Sequence, residues 1–158
     1  MERVRSILHG LVSADGVVDL DTAPGAGKRD VVSRLGRLAS GPAGVPEADV
    51  KAVLDALWDR EQILSTGIGL GIAVPHVRHA GVKTEVMRVG RSAKGIPFDA
   101  IDGKPVHAVF TILMPAGKHR RHVQVLGAIA AAVKDDVRRA SIFSAPDAAT
   151  FVDRLLNG

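Results

Sequence analysis

The chain has 158 residues, 46% of them hydrophobic, which suits one domain with a substantial core. Its net charge is +4 with the basic residues scattered, and aromatics make up only 3%, so little is available to stack on nucleic-acid bases and no nucleic-acid partner is expected. With no Cys, disulfides, thiol catalysis and thiolate metal sites are excluded, and no apolar run approaches the ~20 residues of a membrane span.

The first stretch, MERVRSILHGLVSADG, carries Glu2 and too short an apolar run for a signal peptide. A cytoplasmic protein is therefore expected, with residues 1–16 as an N-terminal extension of one domain spanning 1–158. Val17-Val18-Asp19-Leu20 predicts a short strand. Gly25-Ala26-Gly27-Lys28 after it is not a phosphate-binding P-loop, because Thr22 stands where the first Gly is needed and Arg29 where Ser or Thr is needed. Val31, Val32, Leu35 and Leu38 then predict an amphipathic helix ending at Gly41-Pro42. Pro46 and Glu47 open the next helix, with Val50, Val53, Leu54 and Leu57 as its apolar stripe. Arg60 continues that stripe, either to satisfy terminal carbonyls or to aim a guanidinium at an anion.

Residues 65–79 read STGIGLGIAVPHVRH, and the rest of the chain is organised around them. Gly67, Gly69 and Gly71 lead into Ile72-Ala73-Val74, which predicts a strand ended by Pro75, a residue without an N–H. His76 then stands where the strand leaves the sheet, on the face shared by Ile72 and Val74. The glycine spacing is not the dinucleotide fingerprint, since no helix can follow through Val74-Pro75; it fits close backbone approach instead. Beyond a polar turn, Glu85 to Val89 predicts a strand and Arg91 to Lys94 a loop. Val106 to Met114 is nearly continuous in apolar residues, as expected of a central strand buried on both faces. Helices are expected from His122 to Val133, from Asp136 to Phe143, and after Pro146. His122 sets the phase of Leu126, Ile129 and Val133, so it faces the sheet from the first helical turn. Strands in the middle with helices on both sides predict an α/β (α+β) fold, a central mixed sheet flanked by helices on both faces.

The motif around His76 resembles the signature of enzyme IIA domains of the bacterial phosphotransferase system, fructose/mannitol type, closest to the nitrogen-regulatory branch. It is carried by Arg60-Glu61, by residues 65–76 (STGIGLGIAVPH), by PFDAIDGKPV at 97–106, and by His122 opening an Ala/Leu-rich helix. The likeness runs from about Val17 to Leu156. It implies a phosphotransfer protein that accepts a phosphoryl group on His76 from a histidine phosphocarrier protein, with His122 and Arg60 as partners in the site and a regulatory role. The alternative is the same fold kept as a non-catalytic interaction module. Neither reading calls for a cofactor.

The chemistry agrees with the first reading. A neutral imidazole is a competent nucleophile near neutral pH, and phosphoryl transfer asks mainly for positioned donors and positive charge around a loose, anionic transition state. Ser65, Thr66 and Gly67 are candidates to hydrogen-bond the phosphoryl group. His76/His79 and His119/His122 form two H-x-x-H pairs, but no Cys or matched acid completes a metal site, so none is expected and His79 and His119 are read as exposed. His107 is read as structural, hydrogen-bonded at the sheet margin. Two departures stand out: Val77 follows His76 where relatives usually have a small residue, and Lys118, Arg120 and Arg121 would oppose the basic face of a phosphocarrier.

Overall fold

The computed structural model describes residues 1–22 and 27–158, so the Gly25-Ala26 part of the glycine-rich segment lies outside the described residues. Among the described residues the chain forms six α-helices and a six-stranded sheet. In chain order these are α1 (Glu2–Leu8), β1 (Val17–Asp19), α2 (Lys28–Ser40), α3 (Glu47–Ile63), β2 (Gly67–Gly69), β3 (Ile72–Ala73), β4 (His76–His79), β5 (Val86–Ile96), β6 (Val106–Pro115), α4 (His119–Val133), α5 (Asp136–Phe143) and α6 (Ala148–Asn157).

The sheet is mixed, in the order β1-β5-β6-β3-β2, and β4 pairs with β6 beyond β3. β1 runs parallel to β5, β5 antiparallel to β6, and both β3 and β4 parallel to β6. Central β6 is buried along both faces and interrupted only by half-buried His107 and its terminal Pro115, as its unbroken apolar run requires.

Alternation along the strands divides the core in two. Ile72, Val74, Met87, Val89, Phe110, Ile112 and Met114 pack under α1, α4, α5 and α6. Ala73, Val86, Val109 and Leu113 pack under α2 and α3. Residues 1–16 belong to the first layer, for Val4, Leu8, Leu11 and Val12 are buried in it.

Four local readings change. Leu38 is 44% exposed, because the buried stripe of α2 turns to Leu35, Gly36 and Ala39. Pairing does not end at Pro75: its carbonyl accepts from the Ile112 N–H at 2.9 Å, and β4 resumes beside residues 112–115. β5 runs on through residues 91–94, absorbing a register shift near Gly95, whose φ of +87° is open to glycine. α4 starts at His119, one turn earlier than expected, so His122 donates its N–H to Lys118 at 3.0 Å and stands at the end of the first turn.

Candidate active site

The resumed pairing of β4 fixes His76 opposite Ile112 at the exit of the sheet, on the α4 side. α4 brings His122 over it, and the two ring centroids lie 4.6 Å apart with planes inclined by 55°. α3, on the other side of the sheet, ends nearby and contributes Arg60, whose Nη1 donates to the Leu64 carbonyl at 2.9 Å. Arg60, His76, Val77, Arg78, Ala116 and His122 line one open cavity of about 430 Å³. Three groups far apart in sequence therefore converge, and the lining holds two guanidiniums and no carboxylate.

The tautomers follow from the contacts. Nδ1 of His76 lies 2.6 Å from the Val74 carbonyl, which can only accept, so Nδ1 carries the proton and Nε2 keeps a free lone pair. Nδ1 of His122 is buried without a hydrogen-bond partner. An unpaired acceptor is tolerated better than an unpaired N–H, so the proton of neutral His122 belongs on Nε2, free to donate. Both rings are held neutral. Burial lowers the pKa of His76 against the opposing pull of the Val74 carbonyl, with Arg60 adding to the depression. Burial, then the charges of His76, Arg78, His119 and Arg60, push His122 down to about 4.

The other anticipated residues lie elsewhere. Ser65 Oγ donates to the Phe98 carbonyl at 2.9 Å, and Thr66 Oγ1 donates to Glu61 at 2.6 Å. Gly67 leaves room for Ala100, whose Cα would be 2.7 Å from an added Cβ. These three brace the strand that leads to His76 and do not line the cavity. His79 is half-buried, its Nδ1 accepting from Gly81 N–H at 2.9 Å, whereas His119 is exposed. His107 Nδ1 donates to the Ser92 carbonyl at 2.9 Å, near the other end of the sheet. No group of three His, Cys, Asp or Glu side chains able to hold a metal occurs among the described residues.

Glu61 carries a role that composition and periodicity did not assign. It is 1% exposed, accepts from Thr66 N–H at 2.9 Å as well as from Thr66 Oγ1, and pairs with Lys28 at 3.2 Å. Thr66 in turn accepts from Val74 N–H at 3.1 Å, and Val74 holds His76. The buried acid thus ties the end of α3, where Arg60 sits, to the strand that aims His76. The clue available in sequence was a lone carboxylate four residues beyond Leu57 on a buried stripe.

A mixed sheet that delivers paired imidazoles and two arginines to one open cavity defines a phosphoryl-handling protein class, and comparison with known proteins agrees. Residues 25–158 match the family model described as phosphoenolpyruvate-dependent sugar phosphotransferase system, EIIA 2. The chain belongs to this family.

Among its relatives, the fructose-specific EIIA component of Haloferax volcanii is 36% identical over 132 residues, 84% of each chain. The nitrogen regulatory protein of Pseudomonas aeruginosa is 34% identical over 129 residues, 82% of each chain. The crystal structure of nitrogen regulatory protein IIA-Ntr from Neisseria meningitidis superposes with a TM-score of 0.80 at 31% identity, covering 92% of this chain and 96% of that one. IIA mannitol of Escherichia coli shares the fold with a TM-score of 0.73 at 20% identity, over 91% and 98% of the two chains.

Proposed function

We propose that His76 accepts a phosphoryl group from the phosphohistidine of a carrier protein and passes it on, as a regulatory relay in the cytoplasm, with residues 1–158 acting as one domain. The observation that carries this reading is the Nε2 lone pair of His76, set free by the Nδ1 bond to Val74 and facing a cavity shared with His122 and Arg60.

In the transfer, the P–N bond of a donor phosphoimidazolium breaks and its electron pair returns to the donor ring, which leaves as neutral imidazole. The Nε2 lone pair of His76 forms the new P–N bond. The His76 ring keeps its Nδ1 proton and becomes cationic, so the 2.6 Å bond to the Val74 carbonyl strengthens as charge develops. His122 Nε2–H donates to a phosphoryl oxygen and Arg60 offsets the oxyanion charge. Before transfer His122 is held neutral, so its Nε2–H meets the incoming group as an uncharged donor. A regulatory role is favoured by the likeness to proteins named nitrogen regulatory, and the fructose-specific relative makes sugar uptake the outcome to test against it.

The test is incubation with a phosphorylated histidine phosphocarrier protein, followed by phosphohistidine detection. Labelling of wild type and none of His76→Ala is expected. Equal labelling of both would refute the assignment, and no labelling of wild type would leave an interaction module of the same fold.

A further inference from the structure

On the β4 and α4 sides of the cavity the exposed polar side chains are basic. Arg78 is exposed at its wall, and Lys118 and His119 are exposed at the start of α4. Lys118 and His119 precede His122 by four and three positions, so they stack over it on one helix face. After burial, the neighbours that disfavour a proton on His122 are His76, Arg78, His119 and Arg60, while buried Glu61 pulls the other way only at His76. Two nearby acids are already engaged: Glu61 is buried against Lys28, and Glu85 is held by Arg121 at 2.9 Å. Arg121 also donates to the Ile7 carbonyl, which turns it toward α1 and away from the rim.

We propose that this rim is a docking surface for a protein that carries carboxylates around its own phosphorylated histidine. The proposal rests on the phosphoryl-acceptor reading of His76 and names the chemistry of the donor. The cavity itself has room for the phosphoryl group and its carrier ring. Arg78 runs from its wall into solvent, and Lys118 and His119 lie outside it, where all three meet whatever surrounds that ring. A ring of opposite charge within a Debye length (~10 Å at 0.1 M salt) accelerates encounter, and one of like charge slows it. Nucleic acid fits this rim poorly, since no Phe, Tyr or Trp lines the cavity for bases to stack on and its two imidazoles face each other.

The experiment uses the full chain with two kinds of donor. Phosphoramidate, a small donor without a docking face, reports the chemistry of His76 alone. One histidine phosphocarrier protein, prepared with the residues ringing its phosphohistidine changed to Glu or to Lys, reports docking. At about 20 mM salt the Glu-ringed carrier is expected to transfer at least roughly tenfold faster than the Lys-ringed one, with the gap closing near 0.5 M. Lys118→Glu combined with His119→Glu should shrink or reverse the preference while leaving phosphoramidate labelling within about twofold of wild type. Labelling by phosphoramidate with equal or faster transfer from the Lys-ringed carrier overturns the proposal and leaves the acceptor reading standing. Failure of phosphoramidate and both carriers to label His76 overturns the acceptor reading, and the docking proposal with it.

Discussion

The two ends of the sheet offer the same anchored imidazole in different company. His76 and His107 each tie Nδ1 to a main-chain carbonyl, at 2.6 and 2.9 Å, and each borders a cavity. At the His76 end the neighbours are a second imidazole at 4.6 Å and two arginines. At the His107 end the ring lies 5.7 Å from Phe143, and the cavity also holds Asp19 and Asp21 beside Arg91. An anchored ring is therefore only a scaffold; what it can do depends on the charge gathered around it. A phosphoryl dianion is welcome at the first end and meets two carboxylates at the second.

The sharpest way to break this comparison is to exchange the loss between the ends. His76→Ala should reduce phosphoryl uptake from a phosphorylated histidine carrier to background, while His107→Ala keeps it near wild type. Uptake surviving in His76→Ala and lost in His107→Ala would move the reaction to the other cavity.

The carboxylates make the second contrast, in stability. Glu61 is 1% exposed and holds Lys28 and two groups of Thr66. Removing one partner of a buried pair strands the other, so Glu61→Ala should cost about 3–5 kcal/mol in chemical denaturation. Asp21 accepts from Ser92 Oγ and the N–H groups of Ala93 and Lys94, but near the surface. Asp21→Ala should cost only about 1 kcal/mol. Comparable losses at the two positions would show that the network behind His76 is no stiffer than a surface turn. Lys28→Met in the Glu61→Ala background should recover part of the loss, since it removes the stranded charge.

Much of this was legible in the sequence. The nearly unbroken apolar run of Val106 to Met114 placed β6 at the centre, and the phase of Leu126, Ile129 and Val133 turned His122 toward the sheet. What pattern could not show was where the polar groups of residues 65–67 would be spent. Ser65 and Thr66 face Phe98 and Glu61 because a short strand leaving a helix must satisfy its polar groups locally, and the partners come from contacts 33 and 5 residues away. β4 was missed for a related reason. Pro75 removes one donor but leaves its carbonyl, and that carbonyl is enough for β6 to resume the ladder. The N-terminal helix is announced by Val4, Ile7, Leu8 and Leu11 at helical spacing, but at seven residues before His9-Gly10 the run is too short to stand out until the core covers it.

His122 itself can be read in two further ways, the larger in rate. Losing one preorganised donor costs on the order of a hundredfold, so His122→Ala should slow phosphoryl transfer to His76 by about that factor without changing which residue is labelled. The smaller effect is on stability against pH, and its sign is fixed. An unfolded chain protonates this ring near the ordinary His value of 6.5, whereas the folded chain protonates it only near 4. Between those values the unfolded state holds more protons, so stability is full above about 6.5, falls as the pH drops, and levels off near 4. His76, also depressed by burial, adds a slope of the same sign. The depressed carboxylates Asp21, Asp102 and Asp147 also lose stability toward acid, but only in a lower window, below their ordinary value of 3.8. Denaturant midpoints for wild type and His122→Gln between pH 7 and about 2.5 separate the two windows. The variant should flatten the upper one and leave the lower one in place. An unchanged upper slope would mean that the ring is not held neutral in the folded chain, and that the charges of Arg60 and Arg78 do not reach it.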